Sequence, residues 1–221
     1  GGGKVIMITY YPYTLANLNA LGERYGLSRV PGLLVEGSDS MYASGKPYYL
    51  LPSIESTDIS SMLSASNVYI IAPEAHGIQK VDTDKTDTVD ALLSTSDKAY
   101  SKTNLETLKN ETIYSVTDED IEGQFMVAAR STLSESGGQL IWFGTPYLGE
   151  NYYANLQYLI ATMNTVCEKE ASVTIAAKSL MSDSLTVPDG SSSFWLAIMC
   201  VVVPVAVTAS GLYVWNRRRK R

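Results

Sequence analysis

The sequence predicts an α/β fold with a mostly parallel sheet, helices on both faces of that sheet, and one C-terminal transmembrane helix. The body of the chain alternates continuous apolar runs, typical of strands covered on both faces, with segments whose apolar residues have helical spacing. Near the C-terminus, residues 194–215 form a run of 22 residues without a charged side chain. Alternating strands and helices favour a parallel sheet, and the long run favours a membrane span.

The elements follow in order from the N-terminus. Val5–Tyr10 is the first apolar run and is predicted to be a strand. A helix is predicted over residues 14–25, with Thr14 as its N-cap and Gly26 as the left-handed residue beyond its end. The other predicted strands are residues 32–37, 67–73, 123–131, 138–146 and 172–176.

A second helix is predicted over residues 151–168. Its expected buried face consists of Leu156, Leu159, Ile160, Met163 and Val166/Cys167. Two polar stretches, residues 38–66 and 79–110, interrupt the alternation and are expected to be excursions from the sheet edge. The second holds Asp82, Asp84, Asp87 and Asp90, which fit a solvated acidic loop better than the calcium loop of an EF-hand.

The uncharged run is followed directly by a basic tail. A helix over 194–215 is long enough to cross the roughly 30 Å hydrocarbon core, whereas the alternative, a buried core helix, leaves five terminal cations unexplained. Because cations are retained on the cytoplasmic side, the body is expected to be extracytoplasmic and the C-terminus cytoplasmic, in a cell membrane. The predicted membrane anchors are Trp195, Tyr213, Trp215, Arg217, Arg218, Arg219, Lys220 and Arg221. The small residues predicted to allow helix packing are Ala206, Ser210 and Gly211.

These features divide the chain into four parts. Residues 1–187 are the expected extracytoplasmic domain, 188–193 a linker, 194–216 the transmembrane helix and 217–221 the basic tail. The three glycines at residues 1–3 precede a strand and look like the end of a helix. We therefore expect the chain to be the C-terminal part of a longer protein.

Composition excludes several classes of function. The five terminal cations leave 12 of the 17 Lys and Arg residues to balance 23 acidic ones, so the rest of the chain carries a net charge of −11 and should be repelled by nucleic acid. One histidine and two cysteines give no metal-ligand pattern, and no phosphate-binding glycine motif occurs. We expect no metal site, no cofactor and no catalytic residues.

A weak ligand or partner site is indicated at the ends of the strands. Glu74 and His76 follow a predicted strand, where α/β folds place ligand groups, and they could be a general base and its orienter or ordinary loop residues. Tyr10, Tyr11 and Thr145 lie at or directly after the ends of two other predicted strands. Tyrosines combine apolar area with a polar tip, which suits an interface, although core packing explains them equally well.

Several stretches together resemble the GldG-like auxiliary component of ABC-2-type transporters, a domain of ABC-type uncharacterised transport systems. The resemblance rests on residues 2–7, 16–21, 25–27, 32–37, 48–52, 138–144 and 177–180, ahead of the terminal helix and its basic tail. It implies a Rossmann-like or glutamine-amidotransferase-like domain outside the membrane, beside an ABC permease and its ATPase, with no catalytic residues of its own.

The sequence therefore predicts a membrane-anchored accessory subunit of an ABC-type transport system, with a non-catalytic outer domain that binds a partner or cargo. The alternative is a membrane-tethered hydrolase or amidotransferase-like enzyme on the outer face. The lack of a nucleophile motif and the single histidine favour the first interpretation.

Overall fold

A computed structural model describes residues 2–63, 68–104, 116–150, 152, 154–167 and 198–219. The chain divides into two units, residues 1–175 and 176–221. The predicted strand 172–176, the linker 188–193 and the anchors Trp195, Lys220 and Arg221 lie outside the described residues.

The first unit consists mainly of strands. These are β1 (Lys4–Ile8), β2 (Leu27–Arg29), β3 (Leu33–Val35), β4 (Tyr49–Leu50), β5 (Ser53–Ile54), β6 (Ala72–Pro73), β7 (Ile78–Lys80), β8 (Thr86–Ser94), β9 (Tyr100–Lys102), β10 (Ile121–Glu122), β11 (Met126–Leu133) and β12 (Gln139–Phe143). Its helices are α1 (Ala16–Arg24), α2 (Asp58–Ser61) and α3 (Asn155–Val166), with a 3₁₀ turn at Pro146–Gly149.

The main sheet is mixed and largely antiparallel. Its order is β1-β12-β11-β7-β2, with β8 paired to β11 and β5 paired to β8. Only β1 and β12 run parallel among the described strands, in register from Lys4 opposite Gln139 to Ile8 opposite Phe143. The predicted mostly parallel sheet with helices on both faces is therefore wrong, and so is the Rossmann-like or glutamine-amidotransferase-like fold. The sheet instead curls into a half-barrel with few helices.

Strand β8 explains much of this difference. Its first half contains Thr86, Asp87, Thr88 and Asp90, a polar pattern that predicts an excursion from the sheet edge. In the structure Arg130 of β11 lies opposite Asp90 and forms an ion pair with it at 2.9 Å. The register of β8 against β11 shifts at three places, and such bulges increase the local twist that curls a sheet.

The remaining strands form two small sheets, β10-β9-β3 and β4-β6. The predicted strand 32–37 is the short β3, which pairs antiparallel to β9 outside the main sheet. Of the predicted strand 67–73, the structure assigns only Ala72–Pro73 to a strand. These short, edge-to-edge pairings replace the long parallel strands that apolar runs had indicated.

Helix α1 agrees with its prediction at one end. Gly26, directly after the C-cap, has φ +68°, as expected for the left-handed residue beyond a helix. At the other end the N-cap is Leu15 rather than Thr14, and no side chain caps the helix. Gly22 faces the indole of Trp142 so closely that a Cβ there would lie 2.3 Å from the ring.

The buried face of α3 differs from the predicted one. Asn155, Tyr158, Ala161 and Thr162 are buried. Leu156, Ile160 and Met163 are 40–50% exposed, and Cys167 is exposed as well. Leu159 and Val166 do pack against the core, as predicted. The rest of the inner face consists of smaller side chains and Tyr158, whose hydroxyl donates to the Leu92 carbonyl at 3.4 Å.

Two apolar clusters form the core of this unit. One contains Met7, Leu27, Ile78 and Trp142, with residues of α1 packed against it. The other is larger and includes Phe143, together with Tyr158 and Ala161 of α3. The β1–β12 pair contributes to both clusters, so the chain positions at the ends of these two strands are firmly fixed.

The second unit contains one helix, Ile198–Arg219, that is long and apolar enough to cross a membrane. It begins with a π-helical segment at Ile198–Val202 and continues as α4 (Val203–Arg219). Pro204 lies at the junction, and a widened turn there accommodates its ring and its missing N–H.

Candidate functional site

Tyrosines converge on Glu74 beyond the carboxyl ends of β1 and β12. Tyr10 follows β1, and its hydroxyl donates a short hydrogen bond to Oε2 of Glu74. Tyr147 lies in the 3₁₀ turn after β12, and its hydroxyl donates to the same oxygen at 3.3 Å. We call Tyr10, Tyr11, Glu74 and Tyr147 the tyrosine–glutamate site.

Glu74 has a backbone conformation that side chains seldom adopt. Its φ is +50°, in the left-handed region, which costs roughly 1 kcal/mol or more for a residue other than glycine. The conformation is fixed by hydrogen bonds on both sides: the Glu74 amide donates to the Tyr48 carbonyl at 2.9 Å, and the His76 amide donates to the Gly144 carbonyl at 3.0 Å. Strain held in this way is typical of functional positions.

Thr145 supports the same loop from inside. It is fully buried, and its hydroxyl donates to the Pro73 carbonyl at 2.8 Å. The same oxygen accepts from the amide of Tyr147 at 3.4 Å. One side chain thus ties the residue before Glu74 to the turn that carries Tyr147.

His76 lies behind the site in a buried polar network. Its Nδ1 is 2.9 Å from the Gly77 carbonyl, which can only accept, so Nδ1 carries the proton. Nε2 then accepts from the Thr9 hydroxyl at 2.6 Å, and Thr9 in turn accepts from Nε1 of Trp142 at 2.7 Å. Burial lowers the pKa of His76 to about 4, so the imidazole is neutral at physiological pH.

Arg29 holds the loop after β1 in place. Its two terminal nitrogens donate short hydrogen bonds to the carbonyls of Tyr11 and Tyr13. Its Nε is buried without a hydrogen-bond partner, and burial lowers the pKa of the guanidinium. The loop that carries the tyrosines is therefore anchored through its backbone.

The rings around the site stand at steep angles to one another. Tyr10 contacts Tyr11 with a centroid distance of 5.0 Å and an interplanar angle of 84°. It contacts Tyr147 at 6.3 Å and 85°. Burial first, and then the hydrogen bond to Glu74, raises the pKa of Tyr10 well above its usual range, so its hydroxyl remains a neutral donor. Burial and the charge of Glu74 also raise the pKa of Tyr11.

The structure thus brings together part of the predicted ligand set. Tyr10, Tyr11 and Glu74 meet at the surface, whereas His76 and Thr145 are buried behind them and position the backbone. Sequence reasoning missed Tyr147. The signal was present, since a Pro-Tyr pair follows both β1 and β12 in two similar stretches, and these two strands turn out to be the parallel pair.

The acidic run is spread along β8 and the turn before it. Asp82 and Asp84 precede β8, and Asp87 lies on it, around an open cleft of about 480 Å³. Among the residues that the structure describes, no group of three or more His, Cys, Asp or Glu side chains could hold a metal ion.

The predicted anchors Tyr213, Trp215, Arg217, Arg218 and Arg219 and the packing residues Ala206, Ser210 and Gly211 all lie on the terminal helix, and their roles stay predictions. Tyr213 and Trp215 are 68% and 60% exposed, and the Arg219 guanidinium lies 5.4 Å from the Trp215 ring centroid. The Ser210 hydroxyl donates to the Val207 carbonyl of its own helix at 2.8 Å. A Cβ on Gly211 would meet nothing within 4 Å, so this position leaves open space on the helix surface.

Comparison with known proteins shows that the fold of this chain is similar to that of a solved structure. No family model and no curated protein matches the chain. A solved structure described as "mmIFT52 N-terminal domain" is similar, with a TM-score of 0.50 and 15% identity. The likeness covers 78% of this chain and 67% of that one. At this identity it shows the fold alone.

Proposed function

We propose that this chain is a membrane-anchored accessory subunit of an ABC-type transport system, whose extracytoplasmic domain binds a partner or cargo without catalysis. One observation carries the proposal: the same chain contains a helix long enough to cross a membrane and a domain with a surface site suited to binding. The transport context comes from the resemblance to the GldG-like family. The likeness to the IFT52 domain concerns fold and does not favour one function over another.

The terminal helix supports anchoring and orientation. The uncharged run 194–215 has 22 residues and would extend about 33 Å at the α-helical rise of roughly 1.5 Å per residue, enough for the hydrocarbon core. The structure describes its helix from Ile198 onward. The Thr208 hydroxyl donates to the Pro204 carbonyl at 2.9 Å, so the helix satisfies this polar group within itself, as lipid requires. The basic residues after Trp215 favour a cytoplasmic C-terminus and hence an outer body.

The site geometry argues against the enzyme alternative. That alternative needs His76, the one histidine of the chain, as a base. Both of its ring nitrogens are engaged by Thr9 and Gly77, and the side chain is fully buried. Glu74 is held by two neutral hydroxyls and lies beside no nucleophile among the residues described here, which suits recognition better than acid–base chemistry.

The proposal is tested by purifying the full-length protein from its own cells in mild detergent. We expect an ABC permease and its ATPase to co-purify. Replacing Ala206, Ser210 and Gly211 together by leucine should weaken that association, because larger side chains prevent close helix approach, while the protein stays in the membrane. Val201→Leu with Val205→Leu, on the opposite side of the helix, is the matched control.

A failure to recover a permease would contradict the proposal. If the protein purifies alone in several mild detergents, and cross-linking in cells also recovers no permease, the accessory role is wrong. A free-standing tethered domain would then be the better description.

A further inference from the structure

We infer that the tyrosine–glutamate site recognises an organic cation, an ammonium or guanidinium group. The cation would pair with the outward carboxylate oxygen of Glu74 and lie against the tyrosine rings. This inference rests on the proposed function, because it names the chemical group that the binding domain takes.

The first argument is the charge of Glu74. One oxygen, Oε2, accepts from the hydroxyls of Tyr10 and Tyr147, while Oε1 accepts no hydrogen bond from the described residues. Within the same part of the chain, no Lys or Arg forms an ion pair with this carboxylate. The terminal nitrogens of Arg29 donate instead to the backbone carbonyls of Tyr11 and Tyr13. A half-buried carboxylate with one oxygen open is a binding position for a cation.

The second argument is the set of aromatic walls. Tyr11 and Tyr147 each stand nearly perpendicular to Tyr10, so ring faces in at least two orientations lie near one carboxylate. A cation over the face of a tyrosine is attracted by the ring quadrupole, and ammonium ligands are commonly held in such aromatic surroundings. Because the tyrosine hydroxyls are neutral, the carboxylate of Glu74 is the one charged group among the four residues of the site.

Other ligand classes fit less well. An anionic ligand would be repelled by Glu74, and the hydroxyls of Tyr10 and Tyr147 already donate to it. A neutral polyol needs free donors and acceptors, of which the site offers chiefly Oε1 and the Tyr11 hydroxyl. The strain at Glu74 also has a rationale here, since φ +50° is what aims this carboxylate between the two strand ends.

The test measures binding of choline to the full-length protein in detergent by titration calorimetry. 3,3-Dimethylbutan-1-ol, which has the same shape without the charge, serves as the neutral probe. We expect choline to bind at least ten-fold more tightly than the alcohol. Equal binding of the two probes, or no binding of choline, Nα-acetyl-lysine amide and Nα-acetyl-arginine amide, overturns the inference.

Variants locate the binding. Glu74→Gln should weaken choline binding at least ten-fold, whereas Glu150→Gln, an exposed carboxylate close to Tyr147, should change it less than two-fold. Tyr11→Leu, which removes an aromatic face, should bind several-fold more weakly than the unmodified protein. If Glu150→Gln weakens binding as much as Glu74→Gln, the attraction is general and the site assignment fails.

Two further comparisons show whether the cation belongs to a protein or to a small molecule, and whether this inference and the proposed function fail independently. Tighter binding of a lysine- or arginine-containing peptide than of choline indicates a partner protein, and the reverse order indicates a small amine; both agree with the inference. If an ABC permease co-purifies but no cation binds, this inference fails and the proposed function stands. If cations bind but no permease co-purifies, the site stands without the transport role.

Discussion

His76 shows how a single buried residue couples stability to pH. Burial lowers its pKa to about 4 in the folded protein, while an unfolded chain has a histidine pKa of about 6.5. Between these values the unfolded state binds a proton that the folded state does not, so this contribution to stability is complete above pH 6.5 and is lost as the pH falls toward 4. The loss corresponds to about 3 kcal/mol.

We therefore expect the free energy of unfolding to fall more steeply from pH 6.5 to 4 in the unmodified protein than in His76→Gln. The variant removes the titrating group and retains a polar side chain at the buried position. Denaturant titrations of the detergent-solubilised protein at several pH values measure the difference. Parallel pH profiles would mean that the folded protein admits a protonated imidazole, against the buried network described here.

Glu74 illustrates a residue that its backbone does not favour. Asparagine tolerates the left-handed region better than alanine does, and both substitutions remove the hydrogen bonds from Tyr10 and Tyr147. Glu74→Asn should therefore be more stable than Glu74→Ala by about 1 kcal/mol. Thermal unfolding of the two variants side by side makes the comparison, and equal midpoints would show that residue 74 relaxes out of the left-handed region.

At Gly22 of helix α1, side-chain packing and the helix propensity of alanine have opposite effects on stability. An exposed Gly→Ala change inside a helix normally stabilises by about 1 kcal/mol. At Gly22, however, the new Cβ would overlap the fully buried ring of Trp142, and overpacking costs about 1–3 kcal/mol. Gly22→Ala should lower the free energy of unfolding. Gly3→Ala, where a Cβ meets nothing within 4 Å, should leave it nearly unchanged. A Gly22→Ala protein as stable as the original would contradict this packing.

The elements also show how far sequence reasoning reaches. Gly26 after α1 was predictable because a helix end is a local event, recorded within a few residues. Strand β8 was not, because its first half is polar and partly exposed and its partner Arg130 on β11 lies forty positions away from Asp90. The inner face of α3 was predicted only in part: Leu159 and Val166 pack against the core, but the burial of Ala161 and Thr162 depends on a neighbouring surface that the helix sequence does not record.

At the scale of the whole molecule, some features follow from local composition and others from contacts between distant parts of the chain. The apolar run and its basic tail can be identified from composition alone, and the structure contains the corresponding helix. The tyrosine–glutamate site depends instead on three distant stretches that meet only after folding, because Tyr10, Glu74 and Tyr147 are brought together by the β1–β12 pair and the loop between β6 and β7. The sequence supplied three of its four members by their place after strands, and the fourth only through a repeated Pro-Tyr pair.

The orientation proposed for the whole chain can be tested with its own two cysteines. Cys167 is exposed at the end of α3, whereas Cys200 lies in the apolar terminal helix, where the hydrocarbon of a membrane would suppress the reactive thiolate. If the body is extracytoplasmic, a membrane-impermeant maleimide added to intact cells should label the protein at Cys167. Cys167→Ser should abolish this labelling, and Cys200→Ser should leave it unchanged. Labelling that appears only after the membrane is permeabilised would place the body on the cytoplasmic side, and both the orientation and the role of an outer binding domain would then be wrong.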